Sequence, residues 1–190
     1  DLQRRLARAF ERAVPLAAPL VRTLSPAQID HLDKRYSRNH EDARREYLQP
    51  DARDRHDAAL KRTVDRVESI YGPLDPVQRQ RLAADLQQSP FDPEVWLAER
   101  RARQLDILRT LRALQAARAD AGAVEAALRA FAAHAEQSPR AYYRDYRDRL
   151  EQANCQLTAR LHNGMTNEQR QHAAQTLRGW EDDLRALAAD

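Results

Sequence analysis

The chain has 190 residues, enough for one domain of ordinary size, and is 42% apolar and 32% charged. It holds only three Phe, two Trp and one Met, so much of its apolar content is Ala and the expected core is thin. The 32 Lys and Arg outnumber the 29 Asp and Glu by a net charge of +3. All but Lys34 and Lys61 of the cations are Arg, and they alternate with acids, as in EDARREY and YRDYRDRLE, which argues against the one-sided basic face of a nucleic-acid module. Cys155 alone forms neither an internal disulfide nor a zinc site, and no run approaches the ~20 apolar residues of a membrane span.

The predicted fold class is all-α: an elongated multi-helix bundle of about eight amphipathic helices in a single helical domain over 1–190. The helices are expected at roughly 1–22, 26–48, 51–71, 76–88, 93–118, 121–136, 139–163 and 167–188. The first begins in mid-pattern and carries Pro15 and Pro19, which should bend it. Ser25-Pro26, Asp75-Pro76, Asp92-Pro93 and Ser138-Pro139 each read as a cap followed by Pro at the first helical position, where its missing N–H costs nothing. Gly72 and Gly164 stand where left-handed helix ends belong, and Thr166 opens the last helix.

Apolar stripes follow in order: Ile29, Leu32, Tyr36, Ala43 and Tyr47; then Leu60, Val64, Val67 and Ile70. The helix after Asp92 is apolar around more of its circumference (Val95, Trp96, Leu97, Leu105, Ile107, Leu108, Leu111, Leu114) and is expected to be central. The last two helices carry near-heptad seams, Tyr143, Tyr146, Leu150, Leu157, Leu161 and Ala173, Leu177, Trp180, Leu184, Leu187. They are predicted to form an antiparallel hairpin with Trp180 as its buried anchor.

One pattern occurs three times: an apolar residue, a cap, two variable residues and Gln. The copies are Leu24, Ser25 and Gln28; Leu74, Asp75 and Gln78; and Met165, Thr166 and Gln169. Each reads as a capping box, in which the Gln side chain reaches back to the backbone N–H of the cap. The pattern also resembles the LTxxQ motif of Spy-type periplasmic chaperones, small helical proteins that shield unfolded clients without ATP. More broadly, LSPAQIDHLDKRYSRNHEDARREYLQP, SPFDPEVWLAERRARQ and NCQLTARLHNGMTNEQRQHAAQTLRGWEDDLRAL are similar to a functionally uncharacterised family of Gram-negative helical lipoproteins. That resemblance implies a periplasmic location at the outer membrane and attachment only through an N-terminal lipid anchor that this chain does not contain.

No catalytic chemistry is legible. None of the six His forms a helical His pair with a carboxylate between, and phosphate loops and nucleophile elbows are absent, so no catalytic, cofactor or metal residue is assigned and no enzyme activity is expected. Carboxylate pairs such as Asp145 and Asp148 lie among Arg residues that favour ion pairing over proton donation. The candidate binding segment is SPRAYYRDYRDRLE, where Tyr142, Tyr143, Arg144, Tyr146 and Arg147 interleave aromatic and guanidinium groups suited to adaptable contacts with polypeptides. Its Tyr residues also suit a packed core. The functional expectation is an envelope domain that binds other polypeptides, chaperone-like and independent of ATP. The alternatives are a structural or assembly protein with one dedicated partner or with itself, and nucleic-acid binding through an Arg face.

Overall fold

The structure, a computed structural model, describes residues 2–189. Eight helices and no strand occur among them: α1 (Leu2–Arg22), α2 (Pro26–Tyr47), α3 (Ala52–Tyr71), α4 (Pro76–Gln87), α5 (Pro93–Ala116), α6 (Ala121–Glu136), α7 (Ala141–Asn163) and α8 (Asn167–Ala189). The protein is thus an all-α multi-helix bundle. Ser25, Asp75 and Asp92 cap α2, α4 and α5 with Pro at the first turn. Asp51 and Asp120 cap α3 and α6 in the same manner without Pro.

Two compact units divide the described chain. The first runs to Leu48 and takes up again over Asp92–Tyr146; the second comprises Gln49–Phe91 and the chain from Arg147 on. In the first, α1 packs on α6 and α2 on α5, and α5 also meets α1 and α6. Its interior is Ile29, Leu108 and Leu111, with Leu24, Leu32, Tyr36 and Ile107 packed against them. The place of α5 agrees with its apolar circumference. Pro15 and Pro19 lie inside an unbroken α1. Ion pairs rim the helix contacts, Arg112 with Asp30 and Asp33 (3.1 and 3.0 Å) and Arg129 with Glu11 (3.0 Å).

In the second unit α3 packs on both α4 and α8, around Val67, Leu74, Leu82 and Met165, with Leu157 and Leu161 of α7 against them. Its two turns are locked together. The side-chain amide of Gln78 donates from Nε2 to Gln169 Oε1 (2.8 Å) and to the Gly164 carbonyl (3.1 Å). The amide of Gln169 donates from Nε2 to Gln78 Oε1 (3.0 Å) and to the Pro73 carbonyl (2.8 Å). Gly164 and Pro73 each stand two places before the cap of the following helix, so the exchange is two-fold symmetric in sequence as well as in space. Two further bonds repeat the symmetry, Arg79 to the Leu74 carbonyl (3.2 Å) and Arg170 to the Met165 carbonyl (2.9 Å). Tyr71 and His162, each four places before a cap, meet through Tyr71 Oη and His162 Nδ1 at 3.0 Å.

Three expectations need correction. The last two helices share the turn at Gly164, but α8 packs chiefly on α3, not along α7. Trp180 is therefore no buried anchor: it is 46% exposed, and Leu177, Leu184 and Leu187 are more exposed still. The 4-3-4-3 spacing marks an apolar face without requiring that anything cover it. Ser138 is not the cap of α7, which starts at Ala141; the Arg140 carbonyl takes its first bonds, from Tyr143 N and Arg144 N. The Ser138 hydroxyl accepts from Arg140 N (3.2 Å), just ahead of the helix, and donates to the buried Glu99 (2.7 Å). Finally, only Gly72 among the glycines has positive φ, at 81°, a value that favours glycine. Gly164 closes α7 by ordinary bonds to the Arg160 and Leu161 carbonyls.

Candidate functional site

The capping motifs occupy the positions expected of them. Ser25 and Gln28 exchange bonds through Gln28 N to Ser25 Oγ (3.3 Å) and Ser25 N to Gln28 Oε1 (2.9 Å). Asp75 and Gln78 do the same at 2.8 and 3.0 Å, and Thr166 and Gln169 at 3.1 and 3.0 Å. Leu24, Leu74 and Met165, just ahead of the caps, all pack into the interiors. In this structure these nine residues serve the turns, and the amides of Gln78 and Gln169 also bond across to the facing turn.

The structure does not bring the five aromatic and Arg residues of α7 to one surface. Tyr143 and Tyr146 are buried, with ring centroids 5.7 Å apart. The Tyr146 hydroxyl accepts from Asp92 N (3.0 Å) and donates to the Asp92 carbonyl (3.2 Å), clamping the start of α5; burial pushes its pKa up, partly offset by that backbone bond. Arg144 donates to the Ser138 carbonyl (2.8 Å). Tyr142 is exposed. Arg147 falls in the second unit, where it borders an open groove with Tyr71, Cys155 and His162.

A different site lies in the first unit. A cleft of about 310 Å³ opens between α5 and α6 and is closed at one end by Pro139 and Arg140. Its apolar lining includes Ile107, Ala127, Ala130 and Phe131, and its charged and polar lining includes Arg100, Arg103, Asp106, His134 and Arg140. The room comes from the Ala-rich sequence of α6, AGAVEAALRAFAAHAE, in which small side chains surround the one Phe. The cations are fixed from beneath by Glu99, which is 0% exposed. Its carboxylate accepts from Ser138 Oγ (2.7 Å) and Arg140 Nη1 (3.4 Å), and Arg103 Nε lies 3.8 Å away. A buried carboxylate is tolerated only when paired and hydrogen-bonded, and this set meets that demand.

Arg140 also binds Asp106, and the hydrogen bond to Asp106, ahead of the fields of Glu99 and Asp106 and against desolvation, holds its guanidinium above the ordinary Arg pKa. Arg100 lies over the Trp96 ring at 5.8 Å. Three guanidinium groups thus face two carboxylates at the cleft, an excess of positive charge. On its wall Gln104, itself buried, leaves Oε1 without a hydrogen-bond partner. An apolar lining beside cationic side chains suits a ligand with an apolar group and a carboxylate. Among the described residues no cluster of three or more His, Cys, Asp or Glu could hold a metal ion, and no described helix is long and apolar enough to cross a membrane.

Of the cleft residues only Pro139 and Arg140 lie in the segment singled out from the sequence. The available signal for the rest was the run of Ala in α6 opposite the Arg-rich first half of α5.

Together these features define an all-α protein of capped helical hairpins carrying an arginine-framed apolar cleft. The chain belongs to DUF6279, a family of unknown function, whose model matches residues 1–147. The match spans the first unit and the α3–α4 hairpin, and leaves α8 and most of α7 outside. No curated protein and no solved structure matches the chain.

Proposed function

We propose that the protein binds other polypeptides through the α5–α6 cleft, in the manner of an ATP-independent, chaperone-like envelope protein. The supporting observation is the cleft itself: space for one or two apolar side chains, with Arg100, Arg103 and Arg140 among the residues that line it. Apolar side chains of the bound segment supply the affinity. The arginines favour segments with acidic residues beside the apolar one; their long stems add apolar contact. Attraction between exposed charges is screened over ~8 Å at physiological ionic strength, so salt slows capture more than it weakens the apolar contact.

The place of action in this reading is the periplasm, with the domain tethered to the outer membrane by a lipidated residue upstream. Its support is the resemblance of LSPAQIDHLDKRYSRNHEDARREYLQP and the segments quoted with it to Gram-negative lipoproteins, and that of the three capping boxes to the LTxxQ pattern of Spy-type chaperones.

The test is suppression of aggregation of a chemically denatured client, followed by light scattering without ATP or metal. The parent should protect at near-stoichiometric amounts. Ala130→Phe, which fills the cleft from an exposed position, should remove most of the protection while the helical signal stays intact. Absence of protection by the parent over several clients, or equal protection by the filled variant, would overturn the reading. The alternative of one dedicated partner is favoured by a separate feature, the bare face of α8.

A further inference from the structure

Beyond Ala173, α8 carries Leu177, Trp180, Leu184 and Leu187 at 53%, 46%, 66% and 74% exposure. Four large apolar side chains on one helical line are more than the scattered exposure of an ordinary surface. The line continues an existing interface: Ala173 is buried, and one turn of α8 earlier Gln169 reaches the Pro73 carbonyl while His172 Nδ1 lies 3.0 Å from the Ile70 carbonyl. With spacings of four and three the line is the a/d seam of a coiled coil. In that register the flanking positions are Ala174, Thr176, Glu181, Asp183 and Ala188, so every charge beside the seam is negative. The arginines, Arg178 and Arg185, sit outside it, and Arg185 is bonded to Glu181 within the helix at 2.6 Å.

We propose that this face of α8 docks a basic amphipathic helix of another protein, its apolar seam against Leu177, Trp180, Leu184 and Leu187 and its Lys or Arg residues against Glu181 and Asp183. Knobs from both helices interdigitate and remove the seam from water, while the acidic flank sets register and partner choice. A second copy of this chain answers the charge poorly, because its own seam offers no cation at the flanking positions.

The full chain is titrated with two dye-labelled three-heptad peptides, both with Leu at the seam positions, one with Lys and one with Glu at the flanks. The Lys peptide should bind at least about tenfold more tightly by fluorescence anisotropy, a charge preference of the size expected for complementary flanks. Trp180 emission should shift to the blue as it binds. Leu184→Gln, at an exposed position, should abolish binding without changing the helical signal, and Glu181→Lys with Asp183→Lys should reverse the preference between the peptides. Equal binding of both peptides, or of neither, would overturn the proposal. So would a dimer seen by sedimentation equilibrium and lost in Leu184→Gln, which would assign the face to a second copy. The cleft is untouched by these variants, so client protection can survive or fail independently.

Discussion

The two units draw on the same material, pairs of helices joined by short capped turns, and hold it together differently. In the first, α5 is the organising element. It buries Leu97, Leu108 and Leu111 together with Glu99, and a single capping box, Ser25 with Gln28, stands at one turn. The α5–α6 turn has none; it bends through Arg118 at φ 48° and is capped by Asp120 alone. In the second unit both turns carry boxes, and their glutamines bond each other across the interface. Outside its apolar cluster it buries little, and α8 is half bare. Apolar burial around one helix and a polar lock between two turns are therefore alternative ways to fasten helical hairpins, and mutations should separate them.

The largest effect is expected where the first unit is densest. Leu108, fully buried, replaced by Ala should cost ~2 to 5 kcal/mol through lost transfer energy and the cavity left behind. Leu184→Ala on the bare face of α8 should stay within ~0.5 kcal/mol. Denaturant titrations of the two variants check the contrast, and similar costs would mean that the exposed seam is covered in solution. Next in size is Ser138→Ala, which deprives the buried Glu99 of its 2.7 Å donor and should cost ~1 to 3 kcal/mol in the same titration.

The lock in the second unit is sharpened by a double-mutant cycle. Gln78→Ala and Gln169→Ala each remove a capping bond and both bonds of the amide exchange, so the pair should show a coupling energy of ~0.5 to 3 kcal/mol. Gln28→Ala, whose amide serves only its own turn among the bonds described, should combine with Gln169→Ala additively to within ~0.5 kcal/mol. Additivity for the Gln78–Gln169 pair would reduce the second unit to two unrelated caps.

Local chemistry made much of this legible. A cap with Pro after it is a property of neighbouring residues, so Pro26, Pro76 and Pro93 appear at the helix starts where they were expected. The same logic failed at Ser138-Pro139, where the hydroxyl accepts from Arg140 N, ahead of the helix, and donates to Glu99, 39 residues away, a partner that nothing local announces. Each glutamine of the second unit was readable as a capping residue; their mutual pairing, across 91 residues, was not. Trp180 was misplaced because heptad spacing defines a face without naming what lies opposite. The cleft escaped notice because it consists of room left by Ala127 and Ala130, and small residues in a helix also read as simple helix formers. Tyr143 and Tyr146, in contrast, fit an apolar face of α7 on periodicity and are buried, though within the first unit, where Tyr146 meets Asp92, and not in the α7–α8 seam that was expected.

The smallest expected effect is a pH response confined to the first unit. His40 has its pKa lowered from 6.5, first by desolvation and then by the fields of Arg101, Arg44 and Arg100, with Glu41 acting in the opposite sense; its Nδ1 has no hydrogen-bond partner. In the unfolded chain the imidazole takes up a proton as pH falls through about 6.5. The folded chain resists that proton until lower pH, so the unfolded state binds more protons over this interval and stability falls with it. Above about pH 7 the ring is neutral in both states and contributes no slope. The thermal midpoint of the parent should therefore drop between pH 7.5 and pH 5, and His40→Gln, which cannot titrate, should drop by less. Equal midpoint losses for the parent and His40→Gln would show that the arginines around α5 do not act on this ring, and would weaken the case for an excess of positive charge along that helix.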